Sequence, residues 1–153
     1  MNRILPVALL LLMLSAAVAA ASESAADGIR WFSYEDGLKR AAETGRPIVI
    51  DFHADWCKWC KELDKKTFTD PRVIQAMNER FVPVSVDTEA DKATAAKYQV
   101  QSLPTMWFLT HEGERIDALP GFVDADNFTI ILDYIASGSY KTTDFQTFYE
   151  NRS

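Results

Sequence analysis

The chain predicts an α/β domain with a mixed central sheet flanked by helices, on three observations. A β-branched run, Ile48-Val49-Ile50-Asp51-Phe52, has the near-continuous apolar character of a central strand. Segments with helical spacing of apolar residues alternate with further strand-like runs along the chain. Late in the sequence, His111-Glu112-Gly113-Glu114 joins two such runs as a hairpin turn, which adds an antiparallel pair to the sheet.

The first segment stands outside that domain. Met1-Asn2-Arg3 carries one positive charge, Ile4 to Leu14 is almost wholly apolar, and Ser15 to Ala21 is small residues. This is the pattern of a secretory signal peptide over 1–21, with Ala17-Val18-Ala19 and Ala19-Ala20-Ala21 as acceptable cleavage sequences. An uncleaved anchor is the rival reading, and the small-residue end argues for removal. Removing the leader takes away Arg3 alone among charged residues and leaves 15 basic against 22 acidic side chains, a balance of −7. Such a surface disfavours nucleic acid and anionic membrane surfaces as partners. About 130 residues remain, enough for one domain with its own core.

Residues 22–27 read as a loose polar leader to a domain over 22–136. Ser33 is placed to cap a helix with Leu38, Ala41 and Ala42 on one face, ended by Gly45-Arg46-Pro47. The strand Ile48 to Phe52 follows, then a helix running to about Lys66. Asp70 and Pro71 restart a helix as cap and first-turn proline, with Val73, Ile74 and Met77 as its apolar stripe. Phe81 to Val86 is the next strand, and Pro83 within it implies an edge position or a ladder site that needs no donor. Ala90 to Tyr98 reads as a short helix, Met106 to Leu109 and Arg115 to Leu119 as the hairpin strands, and Asp124 to Ala136 as the last main helix. In the extension 137–153, Phe145, Phe148 and Tyr149 have helical spacing; docking on the domain and partial order are both open there.

The chemistry concentrates in Ala54-Asp55-Trp56-Cys57-Lys58-Trp59-Cys60-Lys61, which holds both cysteines of the chain. Cys57 falls at a helix N-terminus, where unpaired N–H groups and the helix dipole stabilise a thiolate. Cys60 lies one turn on, on the same face, within the Cα separation of about 4.4–6.8 Å that a disulfide needs. The pair can open and close with little backbone movement, which is a redox switch. A purely structural bridge over so small a loop would stabilise little. Zinc needs about four ligands and only His53, Cys57 and Cys60 cluster. Covalent haem attachment needs a histidine where Lys61 stands.

The stretch Asp51 to Lys61, with Leu103-Pro104-Thr105 downstream, resembles thioredoxin-fold proteins. Within them it is most similar to the C-terminal periplasmic domain of the thiol:disulfide interchange protein DsbD and its free-standing relatives. Lys61-Glu62-Leu63, Thr67-Phe68-Thr69-Asp70-Pro71-Arg72-Val73 and Gly121-Phe122-Val123-Asp124-Ala125 carry the likeness, which covers about Trp31 to Ile135. It implies a thioredoxin-like fold, with Cys57 as the attacking cysteine and Cys60 as the resolving one. It implies that Pro104 is a cis-proline facing the disulfide, that Leu103 and Pro104 help hold an extended substrate strand, and that Asp51 is a buried acid beneath Cys60. Trp56 matches an aromatic residue beside the site. Two positions depart from the cytosolic thioredoxins: Lys58-Trp59 replaces their Gly-Pro, and Pro83 aligns with a lysine many of them place near the buried acid.

Several residues carry a bland reading beside the functional one. Asp51 is either hydrogen-bonded for structure or a raised-pKa acceptor for the Cys60 proton. His53 either tunes Cys57 or is simply solvated, and His111 in its turn is inert. Trp56 and Trp59 form an apolar rim for substrate or, at least in part, pack. Lys58 and Lys61 favour a Cys57 thiolate while Asp55 opposes it.

Together these readings predict an exported, periplasmic thiol–disulfide oxidoreductase, acting as a monomer and reducing disulfides of exported proteins without metal or organic cofactor. A membrane thiol electron carrier would reduce it in turn. A binding or chaperone module with an incidental cysteine pair is the alternative, and the intact pair, acid and proline count against it. An oxidant resembling DsbA is weaker still, since Cys60 to Pro104 is too short for that family's helical insertion.

Overall fold

The computed structural model describes residues 28–152, so the leader expected over 1–21 and most of the polar stretch after it lie outside the described residues. Ser33 caps α1 (Tyr34–Thr44) by accepting the Asp36 N–H on its hydroxyl, and Gly45, left-handed at φ 69°, closes it. β1 (Ile48–His53) follows and is buried along almost its whole length. It pairs in parallel with β2 (Val82–Asp87) and antiparallel with β3 (Thr105–Leu109), which pairs antiparallel with β4 (Arg115–Pro120). The order β2-β1-β3-β4 is the mixed sheet predicted.

Pro83 lies on the edge strand, as its missing donor requires. Its carbonyl accepts the Phe32 N–H at 2.9 Å, and the Ser85 N–H donates to the Phe32 carbonyl at 3.1 Å, so this register position faces outward. A proline there leaves the β1–β2 ladder intact.

Helices cover both faces. α2 (Lys58–Lys66), α3 (Pro71–Arg80) and α5 (Ala125–Ala136) begin at Cys57, Asp70 and Asp124, whose side chains accept N–H groups of the first turn. The helix expected over Ala90–Tyr98 is shorter, α4 (Lys92–Lys97), because the Asp91 carboxylate takes the Thr94 N–H and so starts the helix itself. Val49, Leu63, Val73, Met77, Phe108 and Phe128 form one core; Ala41, Ile48, Ile50, Phe52, Val84 and Tyr98 form the other. Strand side chains alternate between faces. Ile48, Ile50 and Phe52 therefore point to α1 and α4, while Val49 and Asp51 point to α2, α3 and α5.

α6 (Phe145–Glu150) docks on α5 through Tyr134, whose ring lies 5.4 Å from Phe145 and 5.1 Å from Phe148. The Tyr134 hydroxyl also donates to the Thr143 carbonyl at 2.7 Å.

α1 crosses β2 at Gly37, where a Cβ would sit 2.2 Å from Val84 Cγ2. Val84 is fully buried and its branched side chain has nowhere to swing. Gly37→Ala is expected to destabilise the fold by about 1–3 kcal/mol through overpacking. A denaturant midpoint unchanged from wild type would show that the α1–β2 contact yields without cost.

Candidate active site

The sheet register gathers four segments at one end. Phe52 pairs with both Val86 and Thr105, and Thr105 pairs with Pro120. The C-terminal ends of β1, β2 and β4 and the start of β3 therefore coincide. The chain leaving or entering them carries Trp56-Cys57, Glu89, Leu103-Pro104 and Gly121-Phe122. Sites commonly form at the carboxyl ends of strands in such sheets.

Cys57 and Cys60 are joined in a disulfide with Cα atoms 5.3 Å apart. Cys57 is the N-cap of α2, in extended conformation, and its sulfur accepts the Cys60 N–H at 3.1 Å. Each cysteine is only 4% exposed. In the disulfide form the bridge leaves the two residues equally covered. Position distinguishes them instead. Cys57 Sγ receives a helix N–H and sits at the positive end of the dipole, whereas Cys60 lies within the first turn.

Both tryptophans are exposed, Trp56 at 69% and Trp59 at 54%, so neither is a packing residue. The Trp59 ring lies 5.9 Å from Phe122, and Lys58 Nζ lies 5.8 Å from the centre of the Trp59 ring. Trp56 Nε1 donates to Glu89 at 3.3 Å. Phe122, exposed itself, completes the rim with Trp59 and is a member that sequence reasoning missed. The Gly121 N–H donates to the Pro104 carbonyl at 2.8 Å and ties the Phe122 loop to Pro104. The Leu103–Pro104 bond is cis, as the resemblance implies; Pro104 is buried and Leu103 half-buried.

Asp51 is 4% exposed, and its Oδ1 has no hydrogen-bond partner among the described residues. Burial, reinforced by the nearby charge of Asp64, pushes its carboxyl up to about 7. Asp51, His53, Asp64, Phe68 and Ser85 line a cavity of about 400 Å³. Burial raises Asp64 as well, against an opposing pull from His53. His53 is half-buried, with Nε2 2.9 Å from the Ser85 hydroxyl, and so is held in place rather than merely solvated. Asp64 is a second residue that sequence reasoning missed, because what places it beside Asp51 is the packing of α2 on β1. Among the described residues no group of three His, Cys, Asp or Glu side chains could hold a metal ion.

Comparisons with known proteins match this geometry. Residues 34–136 match the family described as a thioredoxin-like domain. The thiol:disulfide interchange protein DsbD of Salmonella typhimurium is 38% identical over 97 residues, covering 60% of this chain and 17% of that protein. DsbD of Neisseria meningitidis serogroup A is 35% identical over 108 residues, 65% of this chain and 18% of that one. The chain thus spans less than a fifth of the length of these curated relatives. Among solved structures, the oxidised C-terminal domain of Neisseria meningitidis DsbD is 34% identical, with TM-score 0.51 and coverage of 65% of this chain and 94% of that one. A thioredoxin from Thermus thermophilus is 26% identical, with TM-score 0.65 and coverage of 71% and 87%.

Proposed function

Because this chain belongs to the thioredoxin-like domain family, we propose that it is an exported thiol–disulfide oxidoreductase that reduces disulfides of periplasmic proteins through Cys57 and Cys60. The observation that carries this reading is the disulfide at the N-cap of α2, beside an exposed aromatic rim.

In the reduced protein the Cys57 thiolate attacks one sulfur of a substrate disulfide. The old S–S bond breaks, its far sulfur leaves as a thiolate that takes a proton, and a mixed disulfide remains. Cys60, deprotonated, then attacks Cys57 Sγ and expels the second substrate thiolate. Two electrons have passed to the substrate and the Cys57–Cys60 bond is closed. Asp51 is the group proposed to take the Cys60 proton: β1 turns it toward the α2 side, and a carboxyl near 7 can hold a proton or release it at working pH. Leu103 and Pro104 would line an extended substrate segment, with Trp56 and Trp59 as its apolar rim. No step as written needs a metal or organic cofactor.

The leader over 1–21 would deliver the domain to the periplasm, away from cytosolic reductant. A membrane thiol carrier would then have to restore the dithiol. The potential of the Cys57–Cys60 pair must lie nearer that of thioredoxin (about −270 mV) than that of DsbA (about −120 mV) for electrons to flow to substrates. Reduction of insulin disulfides by the dithiol form tests the reading, together with the redox potential. Turnover and a low potential are expected. A potential at the oxidising end would make the protein an acceptor, and no turnover at all would leave a binding module.

The same preparation tests the order of attack. Iodoacetamide at neutral pH is expected to label Cys57 first in the reduced protein, on account of its N-cap position. Preferential labelling of Cys60 would reverse the two roles.

A further inference from the structure

Lys58, Lys61 and Lys65 of α2 are spaced to share one stripe of the helix and all three are exposed. The stripe starts beside Cys57 and runs about 10 Å along the helix, at 1.5 Å per residue. Together with Trp56, Glu62 and Asp64, these lysines line an open depression of about 620 Å³.

The three ammonium groups make no ion pair among the described residues. Three other cations are paired: Arg72 bridges Asp70 and Asp126, Arg80 meets Asp133, and Lys66 holds Glu62 at 2.8 Å. That last pair also occupies the one glutamate inside the stripe. Asp64, the other acid, lines the cavity of Asp51 and His53 as well and leaves three ammonium groups against one carboxylate. The stripe is thus a net positive field on a chain whose formal charge is −6. On a chain of net negative charge, this stripe would draw an acidic segment to the face next to the disulfide.

We propose that this basic face of α2 docks an acidic segment of the substrate polypeptide, so that the protein selects disulfides flanked by aspartate and glutamate. The proposal rests on the reductase reading above and names its substrate class. An extended chain advances about 3.3 Å per residue, so the stripe accommodates about three residues. The acidic positions should therefore lie within the first few residues on one side of the substrate cysteine. Trp56, at the head of the stripe, would cover the apolar residue nearest the cysteine.

The experiment uses three disulfide-bonded peptides that differ only in a three-residue flank, acidic, neutral or basic, with kcat/KM measured for each. A small uncharged disulfide, hydroxyethyl disulfide, serves with the wild-type protein as the measure of redox competence. Wild type is expected to prefer the acidic over the neutral flank by about tenfold at low salt, the low end of electrostatic steering. That preference should shrink at about 0.15 M salt, where the screening length falls to about 8 Å. In K61E/K65E the ranking of the acidic and basic peptides should invert, a ratio that a general loss of folding would not produce. Equal values for the three flanks, or a ranking unmoved by the charge reversal, would overturn the docking proposal while hydroxyethyl disulfide still turns over. Failure to reduce hydroxyethyl disulfide would overturn the reductase reading, and the docking proposal with it.

Discussion

Cys60→Ala will leave a protein that attacks a disulfide once and does not let the product go. The N-cap position of Cys57 is untouched by the change, so its sulfur keeps the positive end of the helix dipole and remains a competent thiolate. The lost partner is a neighbour held at 5.3 Å between Cα atoms. An outside thiol at about 1 mM would have to replace it. Well-oriented intramolecular groups act at effective concentrations many orders of magnitude higher, so turnover should fall by at least about 10³-fold. The mixed disulfides that accumulate should be visible as reducible adducts on non-reducing gels, and in cells they should include exported cysteine proteins. Cys57→Ala should give no such adducts, because Cys60 lies within the first turn and is not the cap. Equal adduct yield from the two variants would sink the assignment of attacker and resolver.

The parts of this molecule that were readable in its sequence are those governed by near neighbours. Ser33, Asp70 and Asp124 act as caps because a short polar side chain reaches the N–H groups two or three residues on, whatever the rest of the chain does. Ile48 to Phe52 declares itself a central strand by lacking any polar alternation apart from Asp51, and Pro83 declares the edge by lacking a donor. The cysteine pair and Leu103-Pro104 are local motifs too. What escaped depends on distant segments meeting. Phe122 becomes part of the rim only because the Gly121 N–H is tied to Pro104. Asp64 acquires its environment only because β1 turns Asp51 to the α2 side, and no spacing rule within α2 announces that. The docking of Phe145 and Phe148 was undecidable without Tyr134, which lies in another helix. The equal cover of the two sulfurs is likewise a property of the closed bridge, not of either residue's place in the chain.

Asp51→Asn is expected to move stability and turnover in opposite directions. Folding raises this carboxyl from 3.8 to about 7, chiefly by burial and then by the charge of Asp64. Between about pH 4 and pH 7 the folded protein therefore holds a proton that the unfolded chain has lost. Stability contributed by that proton is complete below the lower value and drains away as pH rises through the window. A rise of about three units corresponds to about 4 kcal/mol. Asparagine has nearly the same shape and no charge, so it removes this slope: the variant should match wild type near pH 4 and exceed it by up to that amount at pH 8. Denaturant midpoints at pH 4, 6 and 8 would read the difference, and parallel curves for the two proteins would mean that Asp51 does not carry the buried proton. The chemistry should pay the opposite way. Asparagine cannot accept the Cys60 proton, so release of the mixed disulfide should slow by about 10²-fold, the scale of a lost general base, while the initial attack by Cys57 changes less. Asp64→Asn supplies the intermediate case. Removing its charge takes away the second cause of the Asp51 shift, so any inflection of the release rate near pH 7 should move to lower pH without disappearing. Release kinetics in Asp51→Asn that match wild type across pH 6–9, roughly the range in which perturbed thiols titrate, would reduce Asp51 to a structural group and require another base for Cys60.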